Sequence, residues 1–545
     1  MNIFERVPTA KVPRSGFNIS ETVKFTGNIG KMYPIYCRQM LPGDVFRIKV
    51  SSYIKFSPTN NPIFHEVYYK TRWFFVPHRL VDENFEDTIT GGQDGLAEDK
   101  IFPRWNPSKS GKGLKTAVSD VIKPESLWDY FGFPLLASDT THNGSLDTTS
   151  DFDDECMPLS YPLRAYNRIF NTWFRDEERQ SEIVENETES NYNSDCLYAT
   201  YKNDYFTSAA LSELKGIAPA LPLEGTLPVL FNQTSVPSSY PSTSNYGLQV
   251  VKDGGGPASA AGDKGESFSL YSHYQGSHTK LGQIDGSVNL ANAAGLSIPD
   301  IRLTSAIQRW MERNEECGSR YGEYLRSMYG VYPKDERLQR PEYIGGTSTI
   351  ITASTVIQTS ASEDGSPQGN ETGRLQAFNN GYVGTYKAYE FGTLMCIAYV
   401  VPKGSYMCQG FPAEWMHLSR YDFPNPLFAH VGNMPVMLGE LYAKGHKAVG
   451  QNKGDDTPFG WQGKDDAYRV GKDRAIAGFR TATYQSWTMD RVFSDYPSNN
   501  SDFLSVNPDL SNVFAVPSVE HFASYTGFDI KAIRPLPKYP VPMLQ

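Results

Sequence analysis

Apolar and polar residues alternate with a period of two in the early part of the chain. Between residues 44 and 57 the apolar side chains, beginning at Phe46 and ending at Phe56, share one parity. The opposite parity carries three basic side chains: Arg47, Lys49 and Lys55. This pattern predicts a half-buried β-strand. A second strand is predicted over residues 64–76, which are rich in Tyr, Trp, Phe and Val, and Pro77 ends it.

The periodicity changes to that of helices and loops after Pro77. Apolar side chains spaced three and four residues apart predict an amphipathic helix over residues 163–177, with arginines on its other face. A second helix is predicted over residues 304–329, and a short one over 125–131. We interpret both long apolar stripes as core packing, because that is their usual role.

Strand signals return after residue 343 and continue to the C-terminal region. They cover residues 348–359, 381–391, 394–401 and 436–442, and the run 394–401 is apolar enough to be buried on both faces. Two or three early strands cannot form a stable sheet alone, so early and late strands must pair with each other. The chain is therefore predicted to be mainly β, as an antiparallel sandwich or jelly roll.

This pattern predicts a domain organisation with one long insertion containing short helices. Core strands occupy 25–77 and 343–530, and the insertion occupies 78–342. Residues 1–24 are predicted to be an extended arm, and residues 531–545 an extended proline-rich tail.

Charge is concentrated within the insertion. Residues 180–301 contain no arginine and hold five lysines and thirteen acidic residues, a net charge of −8 out of −10 for the whole chain. The segment is also rich in Ser, Gly, Asn and Thr, which suits an exposed projection. Its tip is predicted within residues 240–287. Its base is predicted to be an apolar cluster: Leu221, Leu223, Leu227, Val229, Leu230 and Phe231.

Enzyme and metal signatures do not emerge from the sequence. The six cysteines show no CxxC or zinc-ligand spacing and are interpreted as reduced core residues. The P-loop, GxSxG and HExxH patterns are absent. We therefore expect no catalytic, cofactor-binding or metal-binding residues. The first residues do not form a signal peptide, and no apolar run approaches membrane-spanning length, so a cytosol-like compartment is expected.

Three longer motifs carry a family resemblance. They are FFVPHRL from Phe74, LRAYN from Leu163 with WFRD from Trp173, and QRPEYIGG from Gln339. In this order they resemble motifs of the major capsid proteins of microviruses (Microviridae), especially the gokushovirus branch of bacteriophages. The resemblance covers residues 17–176 and 303–514. It does not cover 186–299, and residues 318–321 depart slightly from the family's glycine-rich version.

The resemblance implies a fold, an assembly and partners. It implies an eight-stranded jelly roll that self-assembles into a T=1 icosahedral shell around a circular single-stranded DNA genome. It also implies a separate small basic DNA-binding virion protein, and a projection at the threefold axes. The virion would be assembled in the bacterial cytoplasm, with no membrane insertion. The projection is a candidate for contact with a host-cell receptor, and a passive spacer is the alternative.

Candidate site residues follow from charge and motif position. Subunit-interface candidates are Arg164, Arg168, Trp173, Arg175, Arg340 and Tyr343, for which an ordinary exposed or core role is the alternative. Candidates for DNA contact are Lys11, Arg14 and Lys24 in the arm, followed by Lys109, Lys112 and Lys115, with a solvated tail as the alternative.

Other function classes stay open on the sequence alone. A secreted or surface carbohydrate-binding module would use the abundant Tyr and Trp of the loops. A β-sandwich glycosidase would need two carboxylates at a fixed separation. Images of purified particles would separate these classes from a coat protein, because only the coat protein forms uniform shells.

Overall fold

A computed structural model of the chain describes residues 13–90, 102–106, 121–137, 143–146, 156–185, 195–216, 230–231, 247–252, 268–274, 277–280, 286–287, 298–317, 335–357, 359, 369, 371–428, 432–449 and 452–539. The chain divides into two compact units. The first contains Met1–Lys215 and Met311–Gln545, and the second is Gly216–Trp310.

Strands dominate the described residues. In chain order they are β1 (Ser15–Asn18), β2 (Glu21–Gly27), β3 (Met32–Met40), β4 (Val45–Phe56), β5 (Val67–Pro77), β6 (Leu230–Phe231), β7 (Gly247–Lys252), β8 (Phe268–Tyr274), β9 (Ser277–Lys280), β10 (Gly286–Ser287), β11 (Glu342–Ile350), β12 (Thr352–Ile357), β13 (Glu371–Lys387), β14 (Gly392–Pro402), β15 (Tyr406–Met407), β16 (Asn433–Met437), β17 (Pro458–Gly463), β18 (Arg474–Ala475) and β19 (Phe522–Arg534). The fold is therefore mainly β, as predicted.

Among the residues that the structure describes, the α-helices are few and mostly short. They are α1 (Phe85–Thr90), α2 (Leu127–Tyr130), α3 (Tyr161–Ile169), α4 (Ile298–Cys317), α5 (Leu438–Leu441), α6 (Ala482–Gln485) and α7 (Ser501–Leu504). The predicted helix over 163–177 is confirmed as α3 and the π-helical turn Phe170–Phe174 that continues it. The helix predicted from residue 304 begins earlier, at Ile298.

Two antiparallel sheets build the first unit. Sheet one has the order β1-β19-β4-β13-β12, and β2 also pairs with β19. Sheet two has the order β11-β5-β14-β3. Early and late strands thus pair with each other in both sheets. This confirms the prediction made because the early strands are too few to form a stable sheet alone. The extended arm predicted over 1–24 includes β1 and β2, and β19 reaches into the tail predicted from 531.

The core lies between the two sheets. Trp73 of β5 contacts Phe528 of β19 with ring centroids 5.6 Å apart in an edge-on arrangement. The alternation predicted for β4 is confirmed, because its apolar parity is buried and its basic parity is exposed. These contacts make one continuous apolar layer between the sheets.

Sheet two is covered on its other face as well. Every residue of β14 is buried, as predicted for the run 394–401. The helix α3 and its π-helical turn provide this cover: Phe174 packs edge-on against Tyr399 of β14 at 5.8 Å. The Tyr166 hydroxyl donates a hydrogen bond of 2.9 Å to the Met32 carbonyl, tying α3 to β3.

Several local predictions differ from the structure. The predicted strand 348–359 is divided at Ile351, with β11 in sheet two and β12 in sheet one. The predicted strand 436–442 ends at Met437 and continues as the helical turn α5, because the Glu440 carboxylate accepts a hydrogen bond from the Met437 backbone N–H at 3.2 Å. In α4, Ile307 and Trp310 are exposed rather than packed in a core. The part of that predicted helix beyond Cys317 lies outside the described residues.

The second unit contains short antiparallel strands. Strands β7, β8 and β9 form one three-stranded sheet, and β6 pairs with β10.

Candidate functional site

The three sequence motifs meet at one place in the first unit. Phe74 comes from FFVPHRL, Trp173 from WFRD and Tyr343 from QRPEYIGG. Their ring centroids lie 5.9 Å apart for Phe74 and Trp173, 5.5 Å for Phe74 and Tyr343, and 5.9 Å for Trp173 and Tyr343. Segments far apart in sequence therefore form one aromatic cluster, which we call the motif cluster.

A cation and a backbone carbonyl complete the motif cluster. The Arg340 guanidinium lies over the Trp173 ring, 4.8 Å from its centroid, and pairs with the Asp335 carboxylate at 2.6 Å. The Trp173 indole N–H donates to the Pro341 carbonyl at 2.9 Å. Arginine stacks on aromatic faces and binds carboxylates at the same time, which is why this position favours Arg over Lys.

The FFVPHRL motif also makes polar contacts with two segments far along the chain. The Arg79 Nε donates to the Glu390 carboxylate at 2.6 Å, and its Nη1 donates to the Gln339 side chain. The neighbouring His78 stacks on Tyr161 with centroids 4.3 Å apart. Burial lowers the pKa of His78 to about 4, so its imidazole is neutral at pH 7 and acts as a packed ring.

The other arginines proposed for subunit contacts also have partners within the chain. Arg164 donates to the Val81 carbonyl at 2.8 Å, Arg168 pairs with Glu185 at 3.0 Å, and Arg175 donates to the Gln180 carbonyl at 3.1 Å. Tyr343 keeps 41% of its surface exposed. The structure thus brings Trp173, Arg340 and Tyr343 into one cluster and leaves Arg164 and Arg175 on separate contacts. Their role between subunits stays a prediction.

The candidates for DNA contact are divided between described and undescribed segments. Arg14 and Lys24 are both exposed, and Lys24 lies on the outward side of β2. The remaining candidates, Lys11, Lys109, Lys112 and Lys115, lie outside the described residues.

The acidic segment 180–301 spans both units. Residues 180–215 belong to the first unit and carry seven of its thirteen acidic residues. There Cys196, Tyr201 and Phe206 are buried, and the Tyr201 backbone N–H donates to the Leu504 carbonyl at 3.0 Å. Residues 216–301 of the second unit hold six acidic residues and three lysines, a net charge of −3. Most of the negative charge is therefore not in the second unit.

The apolar base predicted for the projection is only partly described. Leu230 and Phe231 form β6, opposite Gly286 and Ser287 of β10. The remaining members, Leu221, Leu223, Leu227 and Val229, lie outside the described residues.

One exposed apolar loop was not found by sequence reasoning. Within residues 411–428, Trp415, Leu418 and Leu427 are 81%, 96% and 84% exposed. The loop has no strand or helix periodicity, so its exposure could not be read from the pattern. Large apolar side chains exposed together are typical of a surface that binds another protein.

Metal-ligating clusters are absent from the part of the chain that the structure describes. The described cysteines are free thiols. Cys196 and Cys396 are buried, whereas Cys156 is exposed and so departs from the predicted core role. No described helix is long and apolar enough to cross a membrane.

Comparison with known proteins shows similarity to phage capsid proteins. A family model described as "Capsid protein (F protein)" matches residues 5–544. The chain is 28% identical to Capsid protein VP1 of Chlamydia phage 1 over 608 aligned positions, which cover 100% of the chain and 98% of the relative. It is 28% identical to Capsid protein VP1 of Bdellovibrio phage phiMH2K, covering 99% and 97%, and 26% identical to that of Spiroplasma virus 4, covering 98% and 96%.

Proposed function

The chain belongs to the capsid protein (F protein) family and is a major capsid protein, not an enzyme, and from that premise we propose that it forms a T=1 icosahedral shell around circular single-stranded DNA. The family match across residues 5–544 carries this proposal, because it includes every strand of both sheets. Self-assembly and a place in the virion follow from the family itself.

Eight long strands support an eight-stranded jelly roll. In sheet one they have the spatial order β2-β19-β4-β13, and in sheet two β3-β14-β5-β11. Along the chain, β2, β3, β4 and β5 alternate between the two sheets, and so do β13, β14 and β19. Two facing antiparallel sheets of four strands with this alternation are the arrangement expected of a jelly roll. Strands β1 and β12 extend it at the edges of sheet one.

The exposed loop at 411–428 supports contacts between copies. Its large apolar side chains would leave water when capsid subunits meet, and burial of apolar surface is the main favourable contribution to association. The interface candidates of the motif cluster are a second proposed contact, with Tyr343 as their exposed member.

The genome requires more positive charge than the chain provides. Outside residues 180–301 the net charge is only −2, so a shell of this protein alone does not neutralise packaged phosphates. We therefore propose a separate small basic DNA-binding protein in the virion, with assembly in the cytoplasm of a bacterial host. Filled particles that contain no second, basic protein on a denaturing gel would contradict this proposal.

The second unit is proposed to be the outward projection at the threefold axes. Its composition of Ser, Gly, Asn and Thr and its net charge of −3 over residues 216–301 support exposure to solvent rather than to DNA. Such a surface is a candidate for receptor contact, and a passive spacer is the alternative.

Expression of the chain and electron microscopy of the product test the shell. We expect closed particles of one size, with sixty copies by mass measurement as T=1 symmetry requires. Nuclease treatment of filled particles should leave circular single-stranded DNA intact inside. Monomers at all concentrations, or shells with another number of copies, would overturn the proposal.

A further inference from the structure

A row of aromatic side chains crosses the face of sheet one that points away from the protein core. Tyr525 of β19, Tyr53 of β4 and Phe378 of β13 lie directly opposite one another in the strand register. They keep 48%, 42% and 66% of their surface exposed. Directly opposite residues on neighbouring strands have their Cβ atoms about 5 Å apart, so the three aromatic side chains stand side by side across this face. We call these three residues the aromatic row.

Basic side chains surround the aromatic row on the same face. Lys24 of β2 continues the row at one end, opposite Tyr525. Exposed cations on this face include Lys24, Arg47, Lys49, Lys55, Arg374 and Lys531. None of the six forms an ion pair with another residue that the structure describes. In the described register of β4 and β19, one carboxylate lies on the same face: Asp529, which is opposite Lys49.

Two of these cations face each other directly. Arg47 of β4 lies opposite Lys531 of β19. Like charges directly opposite across two strands are destabilising. A bound polyanion would remove this repulsion. The charge pattern thus favours a phosphate-rich partner.

A cleft opens at the β2 end of the aromatic row. It has a volume of about 660 Å³, and Lys24, Tyr53, Lys55 and Tyr525 line one side of it. Glu125 and Asp129 line another side. The volume falls in the range of small-molecule sites, and the Asp129 carboxylate would repel phosphate. The cleft therefore suits an uncharged nucleobase, with the phosphates left on the basic strands.

We infer that this face of sheet one, with the aromatic row at its centre, binds single-stranded DNA. Unpaired bases stack on Tyr525, Tyr53 and Phe378, and the backbone phosphates follow the lysines and arginines beside them. Duplex DNA cannot use the row, because its bases are already stacked and paired. Stacking on aromatic side chains beside a basic groove is how proteins bind single strands without sequence preference. The inference rests on the proposed function, in which the shell encloses such DNA.

Fluorescence anisotropy with labelled oligothymidylate tests the aromatic row. The full-length unassembled protein is titrated with the oligonucleotide and with a duplex of equal length. We expect Tyr53→Val, Phe378→Val and Tyr525→Val each to raise the Kd for the single strand about tenfold. Valine keeps strand propensity but removes the ring. Tyr53→Phe keeps the ring and should bind like wild type, as should Tyr421→Val in the exposed loop at 411–428.

Salt dependence tests the cations separately. Lys49→Gln and Lys55→Gln should each lower the slope of log affinity against log salt concentration by about 0.7, the value for one lost phosphate contact on a single strand. Lys447→Gln, an exposed lysine far along the chain in a loop, serves as the matched control. The valine variants should leave this slope unchanged, because they remove stacking and not charge.

Cross-linking gives a readout that needs no variant. Oligonucleotides carrying 5-iodouracil, irradiated with the wild-type protein, should attach to peptides that contain Tyr53, Phe378 or Tyr525. Attachment only elsewhere would overturn the inference.

The outcomes separate this inference from the proposed function. If wild-type particles enclose no DNA, the proposed function fails. If they do enclose DNA but the valine variants bind oligothymidylate as tightly as wild type, only the DNA-binding face is wrong. Variants that stop shell formation while their DNA affinity is unchanged would assign the face to a contact between copies, which also overturns the inference.

Discussion

The indole N–H of Trp173 donates a hydrogen bond of 2.9 Å to the carbonyl oxygen of Pro341, which lies 168 residues further along the chain. This bond closes the motif cluster, because it joins the end of the π-helical turn to the residue before β11. Arg340 lies over the same indole ring, so one tryptophan holds two neighbouring residues of the QRPEYIGG motif.

Loss of the indole N–H should lower stability without removing the aromatic contact. Trp173→Phe keeps the ring against Phe74 and Tyr343 but leaves the Pro341 carbonyl without this donor. We expect the free energy of unfolding to fall by roughly 1 kcal/mol, measured by urea denaturation of the unassembled protein. Trp415→Phe is the control, since Trp415 is 81% exposed. Equal stability of both variants would contradict the role of the bond.

The ion pair between Asp44 and Arg534 should be a strong constraint on the C-terminal strand. The Asp44 side chain is fully buried, and the Arg534 Nη2 donates to its Oδ2 at 2.9 Å. Arg534→Ala leaves this carboxylate buried without its counter-ion, and we expect a loss of about 3–5 kcal/mol in the free energy of unfolding.

Two further variants separate charge from geometry. Arg534→Lys keeps the charge but not the two-nitrogen fork, so its loss should be intermediate. Lys531→Ala, exposed on the same strand, should change stability by less than about 0.5 kcal/mol. A small effect of Arg534→Ala in denaturation experiments would show that the buried pair does not hold β19 in place.

The strand β4 could be predicted from sequence, whereas its neighbour β19 could not. In β4 the inward parity is almost wholly apolar. In β19 the inward positions include Ser524 and Thr526, whose hydroxyl groups satisfy each other and Ser52 by hydrogen bonds of 3.1 and 3.0 Å. These polar residues interrupt the hydrophobic pattern, and the hydrogen bond that joins them to another strand is accepted by Ser52, 474 residues away.

The candidate sites were predictable to a similarly uneven degree. The motifs identified Trp173, Arg340 and Tyr343, which the structure brings together. The aromatic row was missed, because Tyr53, Phe378 and Tyr525 each look like a single surface residue. Only the strand register places them side by side. The charge of residues 180–301 was read correctly as a sum, but its division between two units depends on tertiary contacts.

A carboxyl pair should make stability depend on pH. The hydrogen bond with the Glu520 carboxyl, and then burial, raise the pKa of Glu125 to about 7, and the pKa of Glu520 is lowered. The folded chain thus keeps a proton on Glu125 that the unfolded chain releases above its ordinary pKa of 4.5. The contribution of this pair to stability should therefore fall as the pH rises from about 4.5 to about 7, because the folded state binds more protons at Glu125, whereas His78 and His521, whose pKa values are lowered to about 4, contribute in the opposite direction.

Thermal unfolding at a series of pH values measures this effect. Glu125→Gln removes the titrating group but keeps a hydrogen-bond donor for Glu520, so the stability of wild type relative to this variant should fall between about pH 5 and about pH 8. Asp529→Asn, on the outward face of β19, is the control and should leave the decrease unchanged. An identical pH profile for Glu125→Gln and wild type would mean that the pair does not share a proton.

The arginines of the motif segments should affect assembly beyond their effect on folding. Arg175→Ala and Arg340→Ala are expected to lower the yield of shells at protein concentrations where wild type assembles fully. Asp335→Ala removes the partner of Arg340 within the chain and so measures the purely internal contribution. Arg469→Ala, in an exposed loop where the arginine pairs with Asp466, is the matched control. Wild-type assembly by both Arg175→Ala and Arg340→Ala would reject the interface proposal.

Trypsin treatment of intact particles should reveal where the second unit lies. Residues 180–301 contain no arginine, so trypsin can cut there only at five lysines. Lys202 and Lys215 belong to the first unit, and Lys215 is paired with Glu178 at 2.7 Å.

An outward projection predicts that cleavage falls first at Lys252, Lys264 or Lys280, while the shell stays closed because both sheets are untouched. A fall in infectivity with intact shells would support receptor contact, and unchanged infectivity would support a spacer. Protection of all three lysines would show that the second unit is buried in the shell or faces the genome.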